Sequence, residues 1–250
     1  RVEEFIKLIL SLKKLKPLPN EIIAVDDCSE IVNYKKLKKF CKKEKIKFYR
    51  NKKTKGPAIS KNIGAKISKS RFLWFLDSDT VSLRIHNLIE PLKFFEKKPN
   101  SIIGCEIVKR KRKLFTRSSY LLPNCQTLVI HNSYSKKNKI RKVDFLPSCN
   151  LIISKKNFLK IKGFRNIITA EDKLFCLMAK KKQINTYFFP KLSILHEYSA
   201  LGRVTNLKQI KNIIECNMII FGFYYSKNMM SYYFRLIISL PIFIISQLLI

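Results

Sequence analysis

Apolar and polar positions alternate along the first hundred residues in two periods. Val2, Phe5, Ile6, Ile9, Leu10 and Leu12 fall near helical spacing with lysines between, which predicts a helix over 2–15 ended by Pro17 and Pro19. Residues 21–25 form a short apolar run that stops at Asp26-Asp27, the pattern of a buried strand. A lysine-studded helix over 31–43, a strand over 46–49 and a helix over 57–68 follow. The run Arg71-Phe72-Leu73-Trp74-Phe75-Leu76 is the strongest strand signal and stops at Asp77. A further helix over 85–97 ends before Pro99. Strands alternating with helices predict an α/β fold, a mostly parallel, Rossmann-like sheet flanked by helices. A doubly wound domain normally opens with a strand and this chain opens with a helix, so its first strand is expected to be missing.

The rhythm changes after residue 100. Residues 101–108 and 150–153 predict strands, and 109–142 is basic, polar and without a clear period. A short helix ends at Gly163-Phe164, residues 171–181 predict a helix, and 186–189 and 192–195 predict two short strands. Residues 213–225 are apolar between lysines, and 236–250 are apolar apart from two serines, a proline and Gln247. Fifteen residues fall short of the roughly 20 that span a bilayer. Two such segments in tandem beside Lys and Arg predict contact with a membrane surface. The expected organisation is a nucleotide-sugar-binding half over 1–100, an acceptor-binding half over 101–205 and a membrane-associated segment over 206–250.

Charge changes the picture less than its size suggests. The 250 residues carry 51 Lys+Arg against 17 Asp+Glu, a net charge of +34, but the lysines are smeared over nearly every segment. That reads as a general surface bias before it reads as a nucleic-acid site. The 7 cysteines form no Cys-x-x-Cys pair and are odd in number, which argues against a zinc ribbon or a secreted disulfide framework and fits a reducing compartment. Arg1-Val2-Glu3-Glu4 is charged and no apolar h-region follows at the right place, so no signal peptide is expected in this stretch.

The acids are the unusual feature. Asp26-Asp27 and Asp77-Ser78-Asp79 each follow a strand, and ligands of parallel α/β sheets bind beyond the carboxyl ends of strands. Aspartates there can simply cap the next helix. Two clusters on successive strands favour instead a shared crevice with a hard cation, Mn²⁺ or Mg²⁺, and substrate phosphates. Between them lies Gly56-Pro57-Ala58-Ile59-Ser60-Lys61-Asn62-Ile63-Gly64. Its second half predicts the first turns of a helix, with Lys61 near a nucleotide and Gly64 allowing close packing on the sheet.

In this order the residues resemble family 2 glycosyltransferases of the GT-A fold. Val25-Asp26-Asp27-Cys28-Ser29 resembles the family's Val-Asp-Asp-Gly-Ser strand end. Residues 56–64 resemble its Gly-x-x-x-Ala-Arg-Asn-x-Gly helix, and Asp77-Ser78-Asp79 its metal-binding Asp-x-Asp. Asn150, Phe158, Gly163-Phe164 and Glu171-Asp172 resemble its acceptor-side pattern. The resemblance runs from about residue 1 to 200. It departs from the family at Cys28, Ser60 and Lys61, where glycine, alanine and arginine are usual. The family's opening strand, with its nucleotide-contacting loop, would precede Arg1.

The resemblance implies an inverting hexosyltransferase that moves a sugar from a nucleotide-diphospho-sugar, UDP-linked by preference, to a hydroxyl of a glycan or lipid-linked acceptor. It implies donor contacts by Asp26, Asp27, Lys61 and Asp77, and a metal held by Asp77 and Asp79. Asp172 would be the general base with Glu171 beside it. His196, after the last strand, is the candidate third metal ligand. His86 and His131 are not expected to act. The expected location is the cytoplasmic face of a membrane. The competing reading is an inactive scaffold that binds nucleic acid or anionic lipid. It finds no nucleic-acid motif in the sequence, so no nucleic-acid partner is expected. A nucleotidyltransferase, the third reading, would need a Gly-rich basic loop after a first strand.

Overall fold

The computed structural model describes residues 1–84, 88–109, 139–167 and 170–196. His86, His131 and the apolar segments 213–225 and 236–250 lie outside the described residues.

Six helices and eight strands are described. They are α1 (Val2–Leu12), β1 (Ile23–Asp26), α2 (Ile31–Lys43), β2 (Lys47–Arg50), α3 (Pro57–Ile67), β3 (Phe72–Leu76), β4 (Thr80–Arg84) and α4 (Ile89–Lys97). There follow β5 (Ser101–Lys109), β6 (Arg141–Val143), β7 (Asn150–Ser154), α5 (Lys155–Ile161), α6 (Glu171–Lys181) and β8 (Asn185–His196). The helix expected over 2–15 stops at Leu12, and the one expected over 85–97 is described from Ile89.

The sheet is mixed, which corrects the expectation of a mostly parallel one. β1 and β2 pair in parallel as a separate two-stranded sheet. In the larger sheet the order is β3-β7-β5-β8-β4, with β6 also on β8. Only β5 and β8 are parallel there; β3–β7, β5–β7, β4–β8 and β6–β8 are antiparallel. Strands β3 and β4 thus share a sheet with β5, β7 and β8 from the second half of the chain. The two strands expected at 186–189 and 192–195 are one long β8, whose register against β5 shifts between Cys105 and Glu106.

Strand periodicity divides the core into two layers. Leu73 and Phe75 of β3 enter one apolar cluster, while Phe72, Trp74 and Leu76 pack against the other. Ile102 and Ile103, and likewise Ile152 and Ile153, split the same way. Helices α3, α5 and α6 cover one face and α1, α2 and α4 the other. Phe75, Phe158, Phe164 and Phe175 form a ring cluster with centroids 4.4 to 5.6 Å apart. It fixes the loop that leads into α6.

Candidate active site

Turn chemistry places the second acidic cluster. Strand β3 ends at Leu76 and the chain reverses at once, with the Thr80 N–H donating to the Asp77 carbonyl at 3.1 Å and the Thr80 hydroxyl to the same carbonyl at 2.7 Å. The turn carries Asp77 and Asp79, and β4 then pairs with β8 so that Thr80 stands opposite His196. His196 Nε2 lies 3.7 Å from an Asp79 carboxylate oxygen and 3.9 Å from one of Asp77. On the other side, Leu76 stands opposite Asn150, which brings the preceding Ser148 and Cys149 to the same strand ends.

Helix α3 supplies the cation. Its N-cap, Gly56, has φ 87°, a left-handed conformation that favours glycine, and Pro57 opens the first turn. Lys61, one turn on and half-buried, donates to Ser148 Oγ at 2.5 Å, lies 3.0 Å from Asp77 and 3.7 Å from Glu171. Burial opposes its charge, but the carboxylates of Asp77 and Glu171 outweigh it and hold the ammonium above its ordinary pKa. Burial likewise opposes the ionisation of Asp77. Lys61 and His196 reverse that and hold its carboxyl well below the usual range.

Helix α6 supplies the acids of the far wall. Glu171 and Asp172 occupy its first turn, where the helix dipole favours anions. The Asp172 carboxylate accepts from the Ser148 N–H at 3.3 Å and the Lys173 N–H at 2.7 Å. Withdrawal from water, and then the neighbouring Glu171 carboxylate, push its pKa up to about 7 against the pull of Lys61. Ser148 therefore bridges Lys61 and Asp172, a position that the sequence analysis did not assign.

Asp26 and Asp27 stand differently. Asp26 is buried, accepts from the Ser29 N–H at 3.3 Å and from its hydroxyl, and lies 3.4 Å from Arg50 Nε. Asp27 accepts from Asn51 Nδ2 at 2.7 Å, the Lys55 N–H at 2.9 Å and the Gly56 N–H at 2.7 Å. It thereby pins the loop before α3. Asn51 is the second residue missed. It is buried and also donates to Ser60 Oγ at 3.2 Å. Asn62, a position of the 56–64 motif given no role of its own, has an amide that exchanges hydrogen bonds with the Phe164 backbone at 2.8 and 2.9 Å. Gly163 has φ 67°, and an added Cβ would meet the Asn62 oxygen at 2.6 Å. Helix α3 is thus clamped to the loop that follows α5. Gly64 is not used as expected: a Cβ there would touch only Val25, at an ordinary 3.7 Å.

The donor set fits a divalent cation. Asp77, Cys149 and His196 each offer a ligand atom within 4.8 Å of the others. The separations of His196 from the two carboxylates exceed a hydrogen bond. They suit ligands of one ion with bonds near about 2.1 Å. Carboxylate and imidazole donors suit a divalent cation, while burial and then Asp77 hold the Cys149 thiol well above its ordinary pKa.

The chain is 44% identical over 77 residues to an uncharacterized glycosyltransferase of Rickettsia bellii (strain RML369-C), a stretch covering 30% of this chain and 11% of that protein. A crystal structure of GalNAc-T7 with UDP, GalNAc and Mn²⁺ superposes with TM-score 0.65 at 17% identity, over 88% of this chain and 45% of the other. One of S. aureus TarS 1–349 in complex with UDP gives 0.62 at 17% identity, over 90% and 64%. The chain thus spans less than two thirds of each, and at this identity the two structures establish a shared fold. The family model for glycosyl transferase family 2 matches residues 2–161, more than half of the sequence, and the chain belongs to that family.

Proposed function

We propose that the protein transfers a hexosyl group from a UDP-linked sugar to a hydroxyl of a glycan or lipid-linked acceptor, with inversion. The observation that carries this reading is the convergence of Lys61, Asp77, Asp79, His196, Glu171 and Asp172 on one crevice at the strand ends.

Asp172 is the base. An acceptor hydroxyl loses its proton as it attacks the anomeric carbon, and a carboxylate with pKa near working pH takes it efficiently. The Ser148 and Lys173 N–H groups aim the Asp172 oxygens. Lys61 orients Asp77 and offers positive charge toward a diphosphate, as a point charge in place of the family's planar guanidinium. Asp26 and Asp27 stand on the base and ribose side of the donor. Asp77, Asp79 and His196 would hold Mn²⁺ or Mg²⁺, which when bound offsets charge on the leaving diphosphate.

Among the described residues no helix is long and apolar enough to cross a membrane. The apolar segments 213–225 and 236–250 lie beyond them and, with the +34 charge, support placement at the cytoplasmic face of an anionic membrane. The deciding measurement is release of UDP from a panel of UDP-sugars with and without Mn²⁺, alongside calorimetric UDP binding. Mn²⁺-stimulated release and binding are expected; neither appearing for any donor would refute the proposal.

A further inference from the structure

Lysine is common throughout the chain, but it is densest in one structural unit. Residues 31–55 hold 12 Lys+Arg, more than twice the average density of a chain with 51 in 250 residues. They make up α2, β2 and the loop that leads to α3. The single acid among them, Glu44, is already paired with Lys13.

Helix α2 sorts these residues by face. Asn33, Tyr34, Leu37, Phe40 and Cys41 fall together and turn inward. Cys41 is buried, the Phe40 ring lies 6.1 Å from that of Phe5, and Tyr34 stacks on Phe48 at 5.9 Å. The other face, roughly 160° wide at 3.6 residues per turn, holds Lys35, Lys36, Lys38, Lys39, Lys42 and Lys43, all exposed. Ile31 and Val32 lie on that same face at the first turn, 56% and 60% exposed. Neither helps the helix to form, since β-branched residues are weak helix formers and no side chain caps this turn. A solitary exposed apolar residue is ordinary. Here two stand side by side at the tip of a cationic face.

The tip lies at the crevice end of the molecule. β1 ends at Asp26 and α2 begins at Ile31. β2 is parallel to β1, so the loop after it returns to the same end. There Arg50 donates to the Ser29 carbonyl at 2.7 Å, and the Cys28 thiol lies 3.6 Å from the Lys52 carbonyl. Lys52, Lys53 and Lys55 of that loop are exposed as well.

This chemistry suits a lipid surface better than a nucleic acid. Nucleic acids are read by arginine forks on base edges and by free aromatic rings on which bases stack. Here the Tyr34 ring is covered by Phe48 and by the Arg50 guanidinium, 4.1 Å from its centroid, and Arg50 is itself held by Ser29 and Asp26. What remains outward is a field of point charges and two aliphatic side chains. Lysine clusters on a helix suit anionic headgroups, and an aliphatic tip suits the boundary with the acyl chains.

We infer that the outward face of α2 is a docking surface for an anionic phospholipid bilayer, with its lysines on the headgroups and Ile31 and Val32 at the interface. Docked there, the crevice end stands beside the surface that carries a lipid-linked hydroxyl; for that acceptor the inference rests on the function proposed above.

The test uses the 250-residue chain and phosphatidylcholine vesicles with or without phosphatidylserine, at physiological salt. Each lysine at such a surface is worth about fivefold in affinity. Lys35→Gln, Lys36→Gln, Lys39→Gln and Lys42→Gln combined are expected to weaken binding to the phosphatidylserine vesicles by about 100-fold or more, with the melting temperature little changed. Lys156→Gln, Lys160→Gln, Lys162→Gln and Lys182→Gln, exposed positions around α5 and α6, remove the same charge and should cost less than about fivefold. Ile31→Trp should place an indole that brominated lipid quenches; Leu159→Trp, at a position 59% exposed on α5, should not. Equal losses in the two quadruple variants would overturn the inference in favour of net charge alone. Parent-like binding by the α2 variant, or binding that ignores phosphatidylserine, would overturn it while leaving the membrane placement to another segment. Loss of duplex RNA binding in the α2 variant, with no vesicle binding by the parent, would give the surface to a nucleic acid. Mn²⁺-stimulated UDP release without vesicles is read on the same preparations and should be equal in all, so failure to dock and failure to transfer are told apart.

Discussion

Strand β1 ends in Asp26-Asp27 and strand β3 in Asp77-Ser78-Asp79, and the two acidic pairs meet opposite surroundings. The β1 pair is taken up by its own scaffold, Asp26 by Arg50 and Ser29, Asp27 by Asn51 and the amides before α3. The β3 pair faces Lys61 and His196 across an open crevice, and Asp77 remains 34% exposed. Identical residue types after similar strands therefore divide the labour. Asp27 fixes the loop that launches α3, whereas Asp77 stays open to the crevice beside Lys61 and Asp79 is buried near His196. What decides is the next turn. After β1 the backbone N–H groups of a glycine-bearing loop come back to the carboxylates. After β3 a tight reversal leaves Asp77 half-exposed and Asp79 buried, both near a histidine.

If that division is right, substitutions on the β3 side should cost chemistry and those on the β1 side stability. The largest effect belongs to Asp172, which shares the Lys61 and Ser148 network with Asp77. Asp172→Asn is expected to lower the transfer rate by about 10²–10⁴-fold with UDP binding little changed. Its raised pKa also sets a pH signature. Transfer should climb as pH rises through about 7, because the base must be ionised. Stability should fall as pH rises from about 4 to about 7, because the folded state keeps a proton that the unfolded chain has released. Both slopes should weaken together in Asp172→Asn, as read from pH–rate and pH–melting profiles. A variant with wild-type rates would move the base elsewhere.

Asp79→Ala comes next. Loss of a ligand should weaken Mn²⁺-dependent UDP binding by more than about 100-fold, with the melting temperature little changed. Calorimetry with and without the ion reads it, and unchanged Mn²⁺ dependence would place the cation elsewhere.

Asp27→Asn should show the reverse profile. An amide cannot accept from every donor now facing this carboxylate, so unfolding free energy should drop by about 2 kcal/mol. Urea denaturation measures this, and a wild-type midpoint would mean that the loop holds itself.

The smallest effect is a gain. Cys28 has φ 68°, where the family usually places glycine, so the departure noted in the sequence carries a conformational cost. Cys28→Gly is expected to stabilise the fold by about 1 kcal/mol. A loss on denaturation would show that the Cys28 thiol, 3.6 Å from the Lys52 carbonyl, contributes more than the strain costs.

Local sequence pattern determined the helices, the strands β1, β3 and β7, and the positions of the acids, because period and strand-ending aspartates are readable within a few residues. Asp172 at the first turn of α6 and Lys61 early in α3 were legible for the same reason. β4 and β6 were not, since each is short and polar and exists only by pairing with β8. The antiparallel directions were not either: alternation of strand and helix favours a parallel sheet, and the returns to β7 and β4 are long-range choices. Ser148 and Asn51 carry no motif of their own and acquire roles from partners 87 and 24 residues away, and Asn62, though a position of the 56–64 motif, finds its partner 102 residues away. The different fates of the two acidic pairs were likewise beyond the sequence. Both pairs are aspartates at a strand end, and only the folded neighbourhood determines which carboxylates find backbone donors and which face Lys61 and His196.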